Sequence, residues 1–411
     1  MKLSIAGIFI FFFIQSNAQS TLKQSVYRAI IYRPDSNEIV FNFQPKRENG
    51  KTVLYVINDT ERLRITDIKQ KGDSLQFNMP FFESSFFTKI NKDGSLSGEW
   101  VKGTSKEPQY FPFRAIPGQS FRFTSKNGNA KKNVSGKWAV TFINTTNNKA
   151  MKAVAIFNQK GNKLTGSFLT PSGDYRYLEG IVTGDSLKLS TFDGSHAYYF
   201  RAKVDDAATI SGGDYFSGYA GWQKWTAVKD ENAALPEQNA PTSLRPGETG
   251  LNFAFKDLDD KLISIKDERY KNKVIIVQIM GSWCPNCMDE TKFLSEFYNK
   301  NKQRGIEIIA LAYEYSTDTE RSKASLRKFQ QRFNVQYPML ITGAVTSDEQ
   351  RTEKTLPQLT PIRSFPTTIF IDNKGNVRKI HPVFYGPGTG EYYKEYLKDF
   401  NKTVDELVGE R

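Results

Sequence analysis

The sequence predicts two domains of different class. An all-β N-terminal region, a duplicated meander closed as a barrel or folded as a sandwich, precedes an α/β domain. Short alternating segments separated by turn signals fill residues 19–228. That stretch also repeats itself. Across residues 251–411 the pattern changes to continuous apolar runs alternating with helical segments. At 411 residues, two or three domains are expected. A hydrophobic content of 38%, with 13% aromatics, suffices for packed cores.

Residues 1–18 are expected to be a secretory signal peptide. Lys2 supplies the positive start, Leu3 to Ile14 an apolar run, and Ser16 to Ala18 the small residues of a cleavage site. The rival reading is an uncleaved anchor, which would need roughly 20 apolar residues. No cysteine follows the apolar run, which excludes the usual lipoprotein anchor. The protein is therefore expected in the periplasm or cell envelope, soluble once the signal is removed, where disulfides persist. The net charge of +13 raises the question of nucleic acid. The Lys and Arg residues are scattered and interrupted by acids, so a solvated basic surface is expected and no nucleic-acid partner.

Alternation in segments such as Asn37 to Phe43, Lys152 to Asn158 and Ala197 to Val204 reads as strands. "KQKGDSLQF" around Gly72 returns as "IVTGDSLKL" around Gly184. "SLSG" ending at Gly98 returns as "TISG" ending at Gly212, and "VYRAII" around Tyr27 as "KWAVTF" around Trp138. The three matches keep their order and nearly constant separation. They define copies at about 25–103 and 136–218, each with seven or eight strand-length segments. Gly-Asp-Ser-Leu is also the signature of a family of serine esterases. That chemistry needs an exposed Ser with a His base, whereas both copies here fall at turns between strands. His196 and His381, the only histidines, are expected to be packing or surface residues.

Residues 229–250 are rich in Pro, Asn, Glu and Gly, lack aromatics and read as a linker. Beyond it, Lys273 to Met280 and Ile306 to Tyr313 read as buried strands. A helix follows each of them, the first ended by Gly305. Thr367 to His381 reads as a hairpin, and a final helix is expected to be capped by Thr389.

The two cysteines, Cys284 and Cys287, stand together in "GSWCPNCMDE". A zinc site would need more Cys or His ligands than the chain supplies, so no metal is expected. A structural disulfide closing so short a loop would contribute only about 2 kcal/mol. A redox pair fits best, and it needs no cofactor. Cys284 falls where a strand gives way to a helix, and unpaired N–H groups and the helix dipole favour a thiolate there. Cys287, one turn on, can attack a mixed disulfide. Pro285 is tolerated at the first turn. The stripe Cys287, Leu294, Phe297 places Glu290 on the core face, apart from Asp289, Lys292 and Glu296. A buried, proton-carrying Glu290 and an exposed helical one both remain open on spacing alone.

At "GSWCPNC" the chain resembles the thioredoxin superfamily, in particular the exported TlpA/ResA-like proteins. The resemblance extends from Leu251 to Arg411 and takes in "SFPTTIFID" and "FYGPGTGEYY". Bacteroidetes members often carry a β-rich N-terminal region like this one. The resemblance implies a thioredoxin-like α/β fold and a thiol-disulfide oxidoreductase, with Cys284 attacking, Cys287 resolving and Glu290 assisting proton transfer. It also implies a substrate groove formed by Trp283, Pro285, Phe365 and Pro366, the last as a cis-proline. Gln278 stands where thioredoxins carry a buried Asp, which shifts any proton role towards Glu290. Phe365 is larger than usual before the cis-proline. Expected partners are protein thiols and disulfides and a membrane or periplasmic electron donor. Direction of electron flow and oligomeric state are unreadable from the residues; reduction of partner disulfides is what the resemblance implies. The competing expectation is a ligand- or peptide-binding β module with a redox-sensitive thioredoxin-like appendage.

Overall fold

Alternation along the N-terminal strands builds two antiparallel sheets of nine strands each. The computed structural model describes residues 21–125, 128–236 and 241–410, so the expected signal peptide lies outside the described residues. In the first sheet, Tyr27–Tyr32 pairs with both its sequence neighbour Glu38–Glu48 and the last strand, Gln109–Pro117. In the second, Gly136–Asn144 pairs in the same way with Ala150–Lys160 and Gly221–Lys229. The second sheet also joins Ala150–Lys160 to Lys163–Thr170, and Lys163–Thr170 to Leu178–Thr183. Hydrogen bonding therefore runs around a closed barrel, which leaves no long free edge. The first sheet stays open between Glu61–Ile65 and Asp67–Lys71.

Gly72 and Gly184 adopt left-handed φ values of 60° and 57° at the turns entering Ser74–Asn78 and Ser186–Phe192. Both Gly-Asp-Ser-Leu stretches are thus turn-to-strand junctions. Each sheet holds a ninth strand beyond the copy ends at 103 and 218. That strand is specified by pairing back to the first, a long-range partner that local alternation does not reveal.

The stretch read as a linker is held to the folded units on both sides where it is described: Lys229 ends the strand Gly221–Lys229, and the Asp230 N–H donates to Lys137 O (3.0 Å). Arg245 Nε donates to Leu359 O (2.9 Å), and the Ser243 N–H donates to Thr360 Oγ1 (2.9 Å). Residues 241–250 thereby strap onto the α/β domain, satisfying backbone groups that a buried loop could not leave unpaired.

The α/β domain is a seven-stranded sheet in the order Leu262–Ser264, Ala254–Asp257, Met339–Ile341, Ile306–Ala312, Val274–Met280, Thr367–Ile371, Val377–His381. The strands Val274–Met280, Ile306–Ala312 and Met339–Ile341 run parallel. Helices α1 (Pro285–Asn301), α2 (Thr319–Phe333) and α4 (Glu391–Gly409) cover the face that carries Val274, Ile276 and Met280. The short α3 (Arg351–Thr355) lies on the opposite face, where Ile275, Val277 and Ile279 point. Thr389 does not cap α4. Gly390 takes the cap position, and the Thr389 hydroxyl donates to Gly386 O (2.7 Å).

Both β sheets dock on this domain. Phe81 of the first stacks on Phe333 of α2 (5.0 Å between centroids), and Arg321 makes a two-pronged ion pair with Glu83 (2.7 and 2.6 Å). The second sheet contributes Arg176, only 2% exposed. Its guanidinium meets Asp289 of α1 (2.8 and 3.0 Å), Asp193 (3.0 Å) and Glu61 of the first sheet (2.5 Å). One cation thus joins all three structural units. Burial alone would lower its pKa, but the surrounding carboxylates hold it well above the ordinary value.

Removing one member of a buried ion cluster leaves the others uncompensated, at about 3–5 kcal/mol. Arg176→Met should lower the unfolding free energy in urea by that amount; an unshifted midpoint would show that the cluster is not structurally significant.

Candidate redox site

The central strand Val274–Met280 ends in Gly281, and α1 begins at Pro285. A Cβ on Gly281 would lie 2.2 Å from the Trp283 indole nitrogen, so only glycine fits there. The Trp283 N–H donates to Tyr313 O (2.9 Å), and its ring stacks on Tyr315 and meets the edge of Phe365. Cys284 occupies the N-cap of α1, and its Sγ accepts the Cys287 N–H at 3.2 Å. The same sulfur donates to Phe365 O (3.5 Å), next to the cis Phe365–Pro366 peptide. Trp283, Pro285, Phe365 and Pro366 are therefore gathered around one thiol.

Both thiols are free, but their settings differ. Cys284 is 5% exposed and opens onto a pocket, whereas Cys287 is fully covered. Burial pushes the Cys287 thiol well above its ordinary pKa. The neighbouring Cys284 and the Glu290 charge push it the same way.

Glu290 is 1% exposed, on the core face of α1. Its Oε1 accepts from Thr368 Oγ1 (2.6 Å) and the Tyr396 hydroxyl (2.8 Å), and its Oε2 accepts from Gln278 Nε2 (2.9 Å). Gln278 and Thr368 face each other across paired strands, so the sheet register builds this cradle. Burial raises the Glu290 pKa, and the three hydrogen bonds oppose the rise. The Gln278 amide thus orients Glu290 rather than titrating itself.

Several residues of the site gave no signal in the sequence. Glu314 follows the strand Ile306–Ala312 and accepts from the Ser282 N–H (2.8 Å) and Ser282 Oγ (2.6 Å), bracing the turn before Trp283. Burial pushes its pKa up to about 7. Asp289, expected among solvent-facing residues, is covered by Arg176. Cys284 opens onto a pocket of ≈ 300 Å³ whose far wall comes from the second β sheet, including Ser172, Asp174, His196 and Tyr198. Asp174 Oδ2 accepts from Asn286 Nδ2 (3.0 Å) and the Gly386 N–H (2.7 Å). Ser195 Oγ donates to the Trp283 carbonyl (3.0 Å).

A family profile described as Redoxin matches residues 245–394. The thiol-disulfide oxidoreductase ResA of Bacillus thuringiensis is 30% identical over 152 residues, covering 37% of this chain and 76% of the relative. ResA of Halalkalibacterium halodurans is 25% identical over 160 residues, 39% of this chain and 77% of the relative. A thioredoxin-family thiol:disulfide interchange protein from Chlorobium tepidum overlays with a TM-score of 0.30 at 20% identity, covering 40% of this chain and 99% of its own. On the match to ResA across three quarters of that relative, this chain belongs to the TlpA/ResA-like thiol-disulfide oxidoreductases of the thioredoxin superfamily.

Proposed function

We propose that this enzyme is exported and reduces disulfides of partner proteins, drawing electrons from a membrane or periplasmic donor. The observation that carries the reading is the asymmetric pair on α1: a thiol at the helix cap beside a pocket, and a sealed thiol one turn behind it. Cys284 ionises and attacks the partner disulfide, forming a mixed disulfide. Cys287 then gives up its proton and displaces the partner. Glu290 is the nearby group that takes and returns that proton, since burial keeps it protonatable at higher pH than an ordinary carboxylate. Trp283, Pro285, Phe365 and Pro366 form the groove that receives the partner sulfur.

The reducing direction is what the resemblance to ResA-like proteins implies. Export rests on the signal-like residues 1–18. Among the described residues no helix is long and apolar enough to cross a membrane. The proposed division is an all-β domain over 19–228, a connecting segment over 229–250 and a thioredoxin-like domain over 251–411.

Cys284→Ser should reduce thiol-dependent reduction of a model protein disulfide to background. Cys287→Ser should instead accumulate a covalent mixed disulfide, seen on a non-reducing gel. Full activity in either variant would contradict the assigned roles. Glu290→Gln removes a negative charge that raises the Cys287 pKa. Cys287 should then titrate at lower pH in alkylation experiments, while the resolving step slows by about 10²-fold for want of a proton acceptor. An unchanged titration and an unchanged resolving rate would reduce Glu290 to a packing role.

A further inference from the structure

The pocket over Cys284 has two walls from different domains. One is Trp283, Cys284 to Asn286 and Arg363 to Phe365. The other is the turn around Ser172 with His196 and Tyr198. The walls are bonded together beside the reacting thiol by Ser195 to the Trp283 carbonyl and by Asp174 to Asn286. Gly173 lies so close that a Cβ there would come within 3.0 Å of Asn286 Nδ2.

His196 is the one imidazole on this pocket. Its Nδ1 lies 3.3 Å from Asp193 Oδ2, an ion-pair distance without hydrogen-bond alignment. The ring stacks on Tyr198 at 4.6 Å between centroids. Asp193 is fixed in turn by Arg176 and by the N–H groups of Ser195 (2.9 Å) and His196 (2.6 Å). With Nδ1 turned to the buried carboxylate, Nε2 is the nitrogen left for the pocket.

We propose that the exchange site is shared between the domains, with His196 of the second β sheet donating a proton to the thiolate that leaves when Cys284 attacks a substrate disulfide. The proposal rests on the thiol-disulfide exchange reading above. Cys284 thiolate forms a bond to one substrate sulfur and the substrate S–S bond breaks. The departing sulfur keeps the electron pair and takes the Nε2 proton, and solvent at the pocket mouth restores it. Cys287 then passes its proton to Glu290 and attacks the Cys284 sulfur, forming the Cys284–Cys287 disulfide and releasing the second substrate sulfur as a thiolate that takes a proton from solvent, while Glu290 returns its own to solvent. The dithiol loses two electrons and the substrate gains two electrons and two protons. A slot of ≈ 300 Å³ with two walls suits one extended, cysteine-bearing segment of a partner rather than the face of a folded domain.

Other charges bear on the imidazole. Asp193 faces it, and Arg176 and Lys102 lie behind that carboxylate. Asp174 stands on its own wall, and Cys284 and Arg363 stand opposite.

The test is single-turnover oxidation of the reduced full chain by the disulfide dimer of a short linear peptide, followed across pH. The wild-type rate should carry a limb that declines as pH rises and the imidazolium is lost. His196→Gln should lack that limb and react about 10²-fold more slowly at neutral pH. His196→Ala should recover rate on addition of free imidazole. Ser172→Trp, at an exposed rim position, should slow the peptide disulfide at least tenfold while leaving the declining limb in place. A His196→Gln profile that superimposes on wild type, or an unimpeded Ser172→Trp variant, would overturn the shared site. A wild-type chain inert towards every disulfide would instead sink the exchange reading itself.

Discussion

A single buried cation organises this molecule. Arg176 has no solvent to stabilise its charge, so it is held by carboxylates from three places: Asp193 on its own sheet, Glu61 on the other sheet and Asp289 on the active-site helix. Buried charges are tolerated only when paired and hydrogen-bonded. The requirement fixes where each sheet stands against α1. From that placement follow the contacts of Asp174 with Asn286 and of Ser195 with Trp283, and hence the second wall of the pocket over Cys284.

The same competition between burial and partnership tunes the chemistry. Cys284 sits at a helix cap, with a backbone N–H on its sulfur and a pocket before it. Cys287 and Glu290 lie one turn and nearly two turns along the same helix, sealed from water. Burial holds the proton on Cys287 and raises the affinity of the Glu290 carboxylate for one, the pairing that the proposed role of Glu290 as acceptor requires. Gln278, Thr368 and Tyr396 keep the carboxyl aimed without removing its capacity to titrate. Behind the loop, Glu314 does similar work for Ser282, so the turn carrying Trp283 is braced by a group whose ionisation falls near neutrality.

Much of this was legible locally. Cys284 and Cys287 follow from one strand end and a helical period, whereas the same period put Glu290 on the core side and left its burial open. The alternation of the N-terminal strands and their duplication were equally plain. What could not be read were the partners that folding brings in from a distance. Asp289 looked solvent-facing because helical spacing carries no information about an arginine 113 residues away. His196 looked like an ordinary packing residue because nothing near it in the chain names Cys284. Thr389 had the composition of a cap, but Gly390 takes that position and the Thr389 hydroxyl donates to Gly386 O instead. In each sheet the first strand also pairs with the last, a partner at the far end of that region which alternation does not encode.

The direct measurement of a redox site built jointly by the two domains is a cycle of Arg176→Met, Asp289→Ala and the double variant, read by the rate at which iodoacetamide alkylates Cys284. If the clamp holds the second wall over the thiol, each single variant speeds alkylation, and the double variant is no faster than the quicker single one. Identical rates in all four proteins would contradict it, leaving the β domain a neighbour of the chemistry rather than part of it.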